Sequence, residues 1–311
     1  MSTTDLSESE FKLQLQSGRI IESTNEMTEQ YQDLLTRLIV SIADTETVLN
    51  FEYPAIQKAP TLEARIQASA VFQDEIGHGH LEWRVAEDLG VDPEEMIYER
   101  PIDQFTCPYF FTCDVKSWPE FVATTAYLDH GGAIMLGRDI ANNTSYGPLR
   151  RAMKKVEKEE QFHSRFGETW ITRYAQKGGT AKEKMQEAVD WAFFHGMELF
   201  GAPDDIARSA VEMTEYRLRS MTPDEMRREW FRDVIPMTEE AGLEVPVPYE
   251  HDEDDDTYYV PDEYFPAHYD KETREWTTGS DITWDDVFER WSEADIGDNI
   301  EPLRKQEPAT P

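Results

Sequence analysis

The chain has 311 residues and is 39% hydrophobic, enough for one large domain or two small ones with a real core. Its 64 acidic residues against 30 basic ones leave a formal net charge of −34, spread along the whole length. That charge excludes a general binder of nucleic acid or anionic membrane, and it reads as a solvated surface adapted to high salt, as in haloarchaea, where screening makes it tolerable.

Residues 1–22 are polar and predict a loose N-terminal arm with a short helix near Glu10–Gln16. A long helix is expected from Ser23-Thr24 to about Glu52, before Pro54, and a second from Thr61 to Asp88, stopping at Gly90. Residues 91–116 form a crossover rich in Pro and aromatics, long for a bundle loop and therefore ordered by packing or functional. Its two cysteines, Cys107 and Cys113, are too few for a disulfide framework and match no metal spacing. They read as packing residues or free thiols.

Ser117-Trp118-Pro119-Glu120 opens a third helix with a cap, a proline and an early acid. Asn142 to Pro148 is a breaker cluster, and a fourth helix follows to Ala175, before Gly178-Gly179. Further helices are expected at about 181–199, 204–219 and 222–234, the last opened by the capping box Thr222-Pro223-Asp224-Glu225. The helical domain is placed at 23–243. An acidic extension follows at 244–311, mostly irregular, with one short helix opened by Thr283 and carrying Val287, Phe288 and Trp291. No run reaches transmembrane length and no signal-peptide pattern opens the chain, so the expected location is the cytoplasm.

Two stretches organise this pattern: Glu75-Ile76-Gly77-His78 and Glu160-Gln161-Phe162-His163. On a helix, Glu-x-x-His puts both side chains on one face. Each copy has an acid at a similar distance upstream. Glu46 precedes Glu75 by 29 positions (75 − 46), and Asp129 precedes Glu160 by 31 (160 − 129). The midpoints of the two pairs fall at the predicted turns, near Pro60 and Thr144, so each acid should face its motif across a hairpin. The acids also sit in apolar stripes: Leu35, Ile39, Ile42, Glu46, Leu49, and Trp118, Val122, Ala126, Asp129, Ala133, Leu136.

Four carboxylates and two histidines are the ligand set of a di-iron or di-manganese four-helix bundle. The expected fold is therefore all-α, a ferritin-like bundle with additional helices. The expected metal ligands are Glu46, Glu75, His78, Asp129, Glu160 and His163, with the four acids carrying the catalytic chemistry. Such a site can take two electrons and activate O₂. A monooxygenase, a ferroxidase or storage protein, and a scaffold with a structural metal site share this geometry. The intact ligand set argues against the last, and the extra helices and extension argue against storage. Glu52 and Glu120 are rivals to the two upstream acids, but each sits near a helix end.

Gln73-Asp74-Glu75-Ile76-Gly77-His78-Gly79 resembles the signature of the catalytic A subunits of phenylacetyl-CoA 1,2-epoxidase, the phenylacetic acid degradation oxygenase. Ser145-Tyr146-Gly147-Pro148-Leu149-Arg150-Arg151-Ala152-Met153, running on to His163, is similar to that family too. So are Met197 to Asp204 and the stretch from Val234-Ile235-Pro236 to Pro246. The resemblance covers about 25–250. It implies O₂-dependent epoxidation of the ring of a CoA thioester, at two iron ions or manganese, with electrons from a separate flavin/iron–sulfur reductase. It also implies two further partners, a structural ferritin-like subunit of the same complex and a small bridging subunit. One position departs: Val71 stands where the family carries a lysine four residues before the first ligand Glu, which leaves another acyl-CoA open as substrate. The alternative reading is a ferritin-like di-metal protein acting on another acyl-CoA, or a ferroxidase or structural subunit without oxygenase activity.

Two further groups stand out. Arg150, Arg151, Lys154, Lys155 and Lys158 are five bases in nine residues of an acidic chain, a candidate surface for CoA phosphates or an acidic partner. Internal pairing with Glu157 and Glu159 is the bland alternative. Asp74 and Glu159 each precede a ligand Glu, about 100° around the helix. They are expected to accept from the histidine of the opposite hairpin, Asp74 from His163 and Glu159 from His78. His80, His130, His195, His251 and His268 receive no ligand role.

Overall fold

The computed structural model describes residues 6–47, 55–100, 104–112, 115–205 and 207–261, with the backbone of two short strands at 269–270 and 275–276. Leu49, Glu52, Cys113, His268 and the short helix expected at 283–291 lie outside the described residues.

The fold is all-α. Helix α1 (Glu8–Gln16) opens on a capping box between Ser7 and Glu10. Helices α2 (Glu29–Thr47) and α3 (Leu62–Glu87) form the first hairpin, α3 starting where the Thr61 hydroxyl accepts from the Ala64 amide. Helix α4 (Trp118–Gly132) is capped by Ser117 and runs on as a π-helix, Ala133–Ala141. Helix α5 (Gly147–Lys177) closes the second hairpin and ends at Gly178, whose φ of +69° suits a residue without a Cβ. Helices α6 (Gly179–Glu198), α7 (Arg208–Glu215) and α8 (Pro223–Glu240) follow. α2 packs on α3, α4 on α5 and α3 on α5, while α6 covers α4 and α5 from outside.

The core divides into two apolar clusters. One joins Ala64, Ala68 and Val71 of α3 to Phe121, Val122 and Phe166 and to the outer helices. The other joins Leu35, Ile39, Trp83, Met153 and Val156 to the N-terminal residues. On α3 the break falls between Val71 and Trp83, and on α5 between Val156 and Phe166. Both breaks hold a Glu-x-x-His, so a layer of ionisable side chains separates the two halves.

Five segments differ from expectation, the first being α2, which starts at Glu29 after a separate turn at Thr24–Glu26 rather than at Ser23-Thr24. The N-terminal residues are not a loose arm: Phe11, Leu15 and Ile21 are fully buried. Ile21 is also tied by backbone to the α4–α5 turn, its amide donating to Ser145 O (2.8 Å) and its carbonyl accepting from Gly147 N (2.9 Å). The helix expected at 204–219 is shorter, Arg208–Glu215. α8 continues through Pro236 to Glu240, because Val234, Ile235 and Thr238 are buried, and the Thr238 hydroxyl bonds Val234 O at 2.6 Å. The acidic run closes a hairpin of β1 (Glu250–Asp252) and β2 (Thr257–Tyr259), with Asp256 at φ +54° in its turn. Arg232 of α8 holds that turn, donating to the carbonyls of Asp255 and Asp256. A second small pair, β3 (Tyr269–Asp270) and β4 (Glu275–Trp276), lies beyond it.

Candidate metal centre

Glu46, Glu75, His78, Glu160 and His163 are all buried, and Asp129 is half-buried. They come from four helices, α2 to α5, and meet in the layer between the two apolar clusters. Ligand atoms of Glu75, Asp129, Glu160 and His163 lie within 4.8 Å of one another. Those of Glu46, Glu75 and His78 do the same. Glu75 belongs to both groups.

Its two oxygens divide between the two histidines. Oε1 lies 2.7 Å from His163 Nδ1 and Oε2 lies 3.0 Å from His78 Nδ1. Glu160 Oε1 is 3.4 Å from His78 Nδ1, and Asp129 Oδ2 is 4.0 Å from His163 Nδ1. The imidazole centroids are 6.0 Å apart. Both rings therefore turn Nδ1 inward, and Nε2 faces an outer acid on the other helix. His78 Nε2 lies 3.1 Å from Glu159 Oε2, and His163 Nε2 lies 3.5 Å from Asp74 Oδ2. Asp74 and Glu159 are partly exposed at the α3–α5 groove.

Small residues make the convergence possible. A Cβ on Gly79 would sit 3.0 Å from Glu46 Cβ, and one on Gly132 would sit 2.5 Å from Glu160 Oε2. At Gly167 of α5, an added Cβ would meet the Ala126 backbone of α4 at 2.4 Å. The π-helix begins at Ala133, four residues after Asp129. Such widened turns are uncommon and often mark functional sites.

The electrostatics are those of a cation site. Burial, then neighbouring carboxylates, push Glu46 and Glu160 well above the usual carboxylate range. Burial would raise Glu75 as well, but hydrogen bonds from His163 and His78 outweigh it and hold it low. Burial would lower His78, yet the bond to Glu75 holds it above the ordinary imidazole value. Among the described residues, the ion pairs of Glu75 and Glu160 are with histidine only. Buried carboxylates gathered without a lysine or arginine fit a pair of divalent ions, which would compensate them together. Oxygen and imidazole donors suit iron or manganese.

A cavity of about 40 Å³ adjoins the carboxylates, walled by Phe111, Leu128, Met135, Leu136 and Leu199. It shares Thr45, Glu46, Met135, Leu136 and Leu199 with a larger cleft of about 290 Å³, which runs past Thr106, Cys107 and Pro108 of the crossover to Arg37. Cys107 is free, and burial, then Asp44, push its thiol up to about 12.

The five bases of α5 lie away from this cleft and are mostly paired internally. Arg150 donates to Asn142 O, and Arg151 grips Glu22 at 2.9 and 3.2 Å. Lys154 reaches Asn142 and Glu157, and Lys155 reaches Glu159. Lys158 is exposed. His130 meets Glu168 at 2.8 Å, His80 is exposed, and His251 stacks on Tyr258.

Four buried acids among the described residues were given no role by reading the sequence: Asp44, Glu82, Asp139 and Glu198. Glu82 is fully buried on the same face of α3 as Glu75 and His78, a position its spacing makes visible. Asp44 is fully buried against Arg100 of the crossover, and no periodicity marks it.

The family model for phenylacetic acid catabolic proteins matches residues 1–275. The chain is similar to the A subunit of 1,2-phenylacetyl-CoA epoxidase from Escherichia coli (strain K12), with 30% identity over 254 residues, 81% of each chain. It is also similar to the C subunit of that enzyme, with 24% identity over 191 residues, 60% of this chain and 74% of that one. With a match over most of its length and these relatives, the chain belongs to the phenylacetic acid catabolic protein family.

Proposed function

We propose that this chain is the catalytic, A-type subunit of an O₂-dependent di-iron oxygenase that epoxidises the aromatic ring of a CoA thioester such as phenylacetyl-CoA. The observation that carries the reading is the meeting of four carboxylates and two imidazoles at one buried point, in a chain of this family. Glu46, Glu75, His78, Asp129, Glu160 and His163 would hold two iron ions, or manganese; Glu75 belongs to both ligand groups. When bound, the ions supply O₂ activation, using electrons from a separate reductase.

The protein's own part is positioning and exclusion of water. Asp74 and Glu159 take the outward N–H of the two imidazoles and fix which nitrogen faces inward. Leu128, Met135, Leu136 and Leu199 keep the space beside the carboxylates apolar. The cleft from Arg37 to Glu46 is the path by which an acyl group reaches them, leaving the CoA phosphates on the solvent side near Arg37. The complex is completed by a structural ferritin-like partner and a small bridging subunit. The residue 23–243 domain carries the site, and 244–311 is an extension of it. The acidic surface suits a cytoplasm of high salt; among the described residues no helix is long and apolar enough to cross a membrane.

A second reading concerns the substrate. Val71 is fully buried where the resembled family carries a lysine, so the layer next to the site is apolar here. That leaves another aryl- or acyl-CoA open within the same chemistry. A ferroxidase or purely structural role is not favoured by the extent of the match to the epoxidase A subunit.

The test is co-purification from the native host, metal analysis, and turnover of phenylacetyl-CoA and a panel of related thioesters with reductase and O₂. Two metal ions per chain and an oxygenated thioester product are expected. A metal-loaded complex that oxidises Fe(II) but no thioester would overturn the proposal.

A further inference from the structure

Glu82 lies four residues after His78 and seven after Glu75, so all three share one face of α3. Glu82 lies one turn beyond His78 on that face, at the edge of the two ligand groups and outside the 4.8 Å within which each of them gathers. Side chains on a helix lean back over the preceding turn, the direction in which those groups lie. The residue is fully buried, and neither of its oxygens has a hydrogen-bond partner among the described residues. The charges that act on it and on which it acts are carboxylates: Glu75, Glu46 and Glu160.

Packing alone does not account for such a residue. A leucine or methionine would fill the position without desolvating a carboxyl among like charges. The centre is also uneven. One cluster has four residues, Glu75, Asp129, Glu160 and His163; the other has three, Glu46, Glu75 and His78. Glu82 stands one turn from His78, on the side with three.

We propose that Glu82 is a seventh protein ligand of the metal centre, a carboxylate that completes the coordination of the cation held by Glu46, Glu75 and His78. The cation is a divalent first-row ion, for which a further oxygen donor is an ordinary partner. The proposal rests on reading the six other residues as a dinuclear site. It explains why an acid is retained at a buried position where nothing else among the described residues pairs with it.

The test uses metal-free full-length protein, titrated with Co²⁺ and followed by calorimetry and by the visible absorption of the bound ion. Wild type is expected to take up two ions. Glu82→Gln should keep the helical circular dichroism, bind one ion normally, and bind the second roughly 10–100-fold more weakly with an altered spectrum. Glu82→Met serves as the second variant if the amide fails to fold. Both metal-free variants should unfold at a higher temperature than metal-free wild type, because the uncompensated carboxyl is gone. Both should also gain less stability than wild type from added Co²⁺. Two ions at wild-type affinity with an unchanged spectrum in both variants would overturn the role of Glu82 alone. A wild type that binds fewer than two ions would instead remove the dinuclear reading, and this proposal with it.

Discussion

His78 on α3 and Glu159 on α5 meet at 3.1 Å through the imidazole Nε2, while Nδ1 of the same ring faces Glu75 at 3.0 Å. The other ring repeats the arrangement with Asp74 at 3.5 Å, so the two hairpins are tied by crossed acid–histidine contacts. An acid on the outward nitrogen fixes the tautomer and strengthens the inward one as a donor to a metal. Lys155 in turn grips Glu159 at 2.5 and 2.6 Å. Glu159→Gln and Asp74→Asn should therefore keep the fold and lose roughly 10–100-fold in metal affinity or activity. The shorter contact makes Glu159 the more sensitive position, and Lys155→Met should show a weaker effect of the same kind. Metal titration of the purified variants checks this; full loading in both acid variants would refute it.

Gly132 offers a separate probe of the centre. A methyl group there would meet Glu160 Oε2 at 2.5 Å, so the carboxylate must move. Alanine favours a helix over glycine by about 1 kcal/mol. Gly132→Ala should thus leave the metal-free protein as stable or more stable, yet bind metal more weakly. Gly167→Ala should behave in the opposite way. Its methyl would strike the Ala126 backbone at 2.4 Å, a contact between helices that cannot rotate aside. It should cost about 1–3 kcal/mol of stability. Thermal unfolding of both variants with and without Mn²⁺ separates the two effects.

The pH dependence of the metal-free protein follows from the raised acids. Glu46, Glu82 and Glu160 are held above their unfolded value near 4.5 by burial first and then by the neighbouring Glu75 carboxylate. A group raised in the folded state contributes stability fully present below its unfolded pKa and lost as pH rises through the folded one. His78, also raised, acts in the same direction above 6.5. Glu75 is depressed, so its contribution is present above 4.5 and lost only in acid. Between about pH 5 and 8 the net effect is one sign: chelator-treated protein should unfold at a lower temperature as pH rises. Metal uptake must displace these protons, so affinity should increase over the same range. Melting curves at fixed high salt, with and without metal, measure both; a metal-free melting temperature that rises with pH would contradict the account.

Much of this arrangement could be read from the residues, for physical reasons that differ by element. The helices follow from caps at Ser117 and Thr222, the breaker at Asn142–Pro148, and the stripes through Glu46 and Asp129. Where the structure departs, a long-range contact decides. Phe11, Leu15 and Ile21 read as a polar arm because only three apolar residues bear on the core, yet each is fully buried. The hairpin at Glu250–Tyr259 is hidden in an acidic run, and forms because Thr257 and Tyr258 are buried and Arg232 holds its turn. Glu82 was visible on its stripe but lies outside the six-ligand pattern. Asp44 had no local signal, since its partner Arg100 is 56 residues away.

The charge of −34 makes a further prediction. Raising salt shortens the screening length from about 10 Å at 0.1 M to about 3 Å at 1 M. The folded state concentrates like charges more than the unfolded chain does, so screening should favour folding. Each kcal/mol of relieved repulsion should raise the melting temperature by about 1.5 °C for a chain of this size. Melting in KCl from low to molar concentration checks it, and a flat or falling curve would count against adaptation to high salt.

The last prediction concerns Asp44, two residues before Glu46. Its carboxylate is fully buried, paired with Arg100, and accepts from the Thr106 amide at 2.8 Å. Arg100 also lies over the Phe105 ring, 3.9 Å from its centroid. Burial raises the Asp44 carboxyl, and the bonds from Arg100 and Thr106 pull against that rise. These contacts fasten the crossover to α2 where Thr106, Cys107 and Pro108 line the cleft beside Glu46. Removing one partner leaves a buried charge uncompensated, which costs about 3–5 kcal/mol, whereas apolar replacement of both is often close to neutral. Asp44→Ala should therefore be strongly destabilising, and Asp44→Leu combined with Arg100→Met should recover most of the loss. The double variant should still bind metal, because Glu46 keeps its place on α2. It should raise the KM for the proposed acyl-CoA substrate more than it lowers kcat, because the wall of the proposed substrate path has lost its anchor while the candidate metal ligands have not. Denaturant melts of the two single variants and the pair give the coupling energy. Steady-state kinetics of the pair decide the second half: an unchanged KM would mean that the crossover does not shape the substrate path.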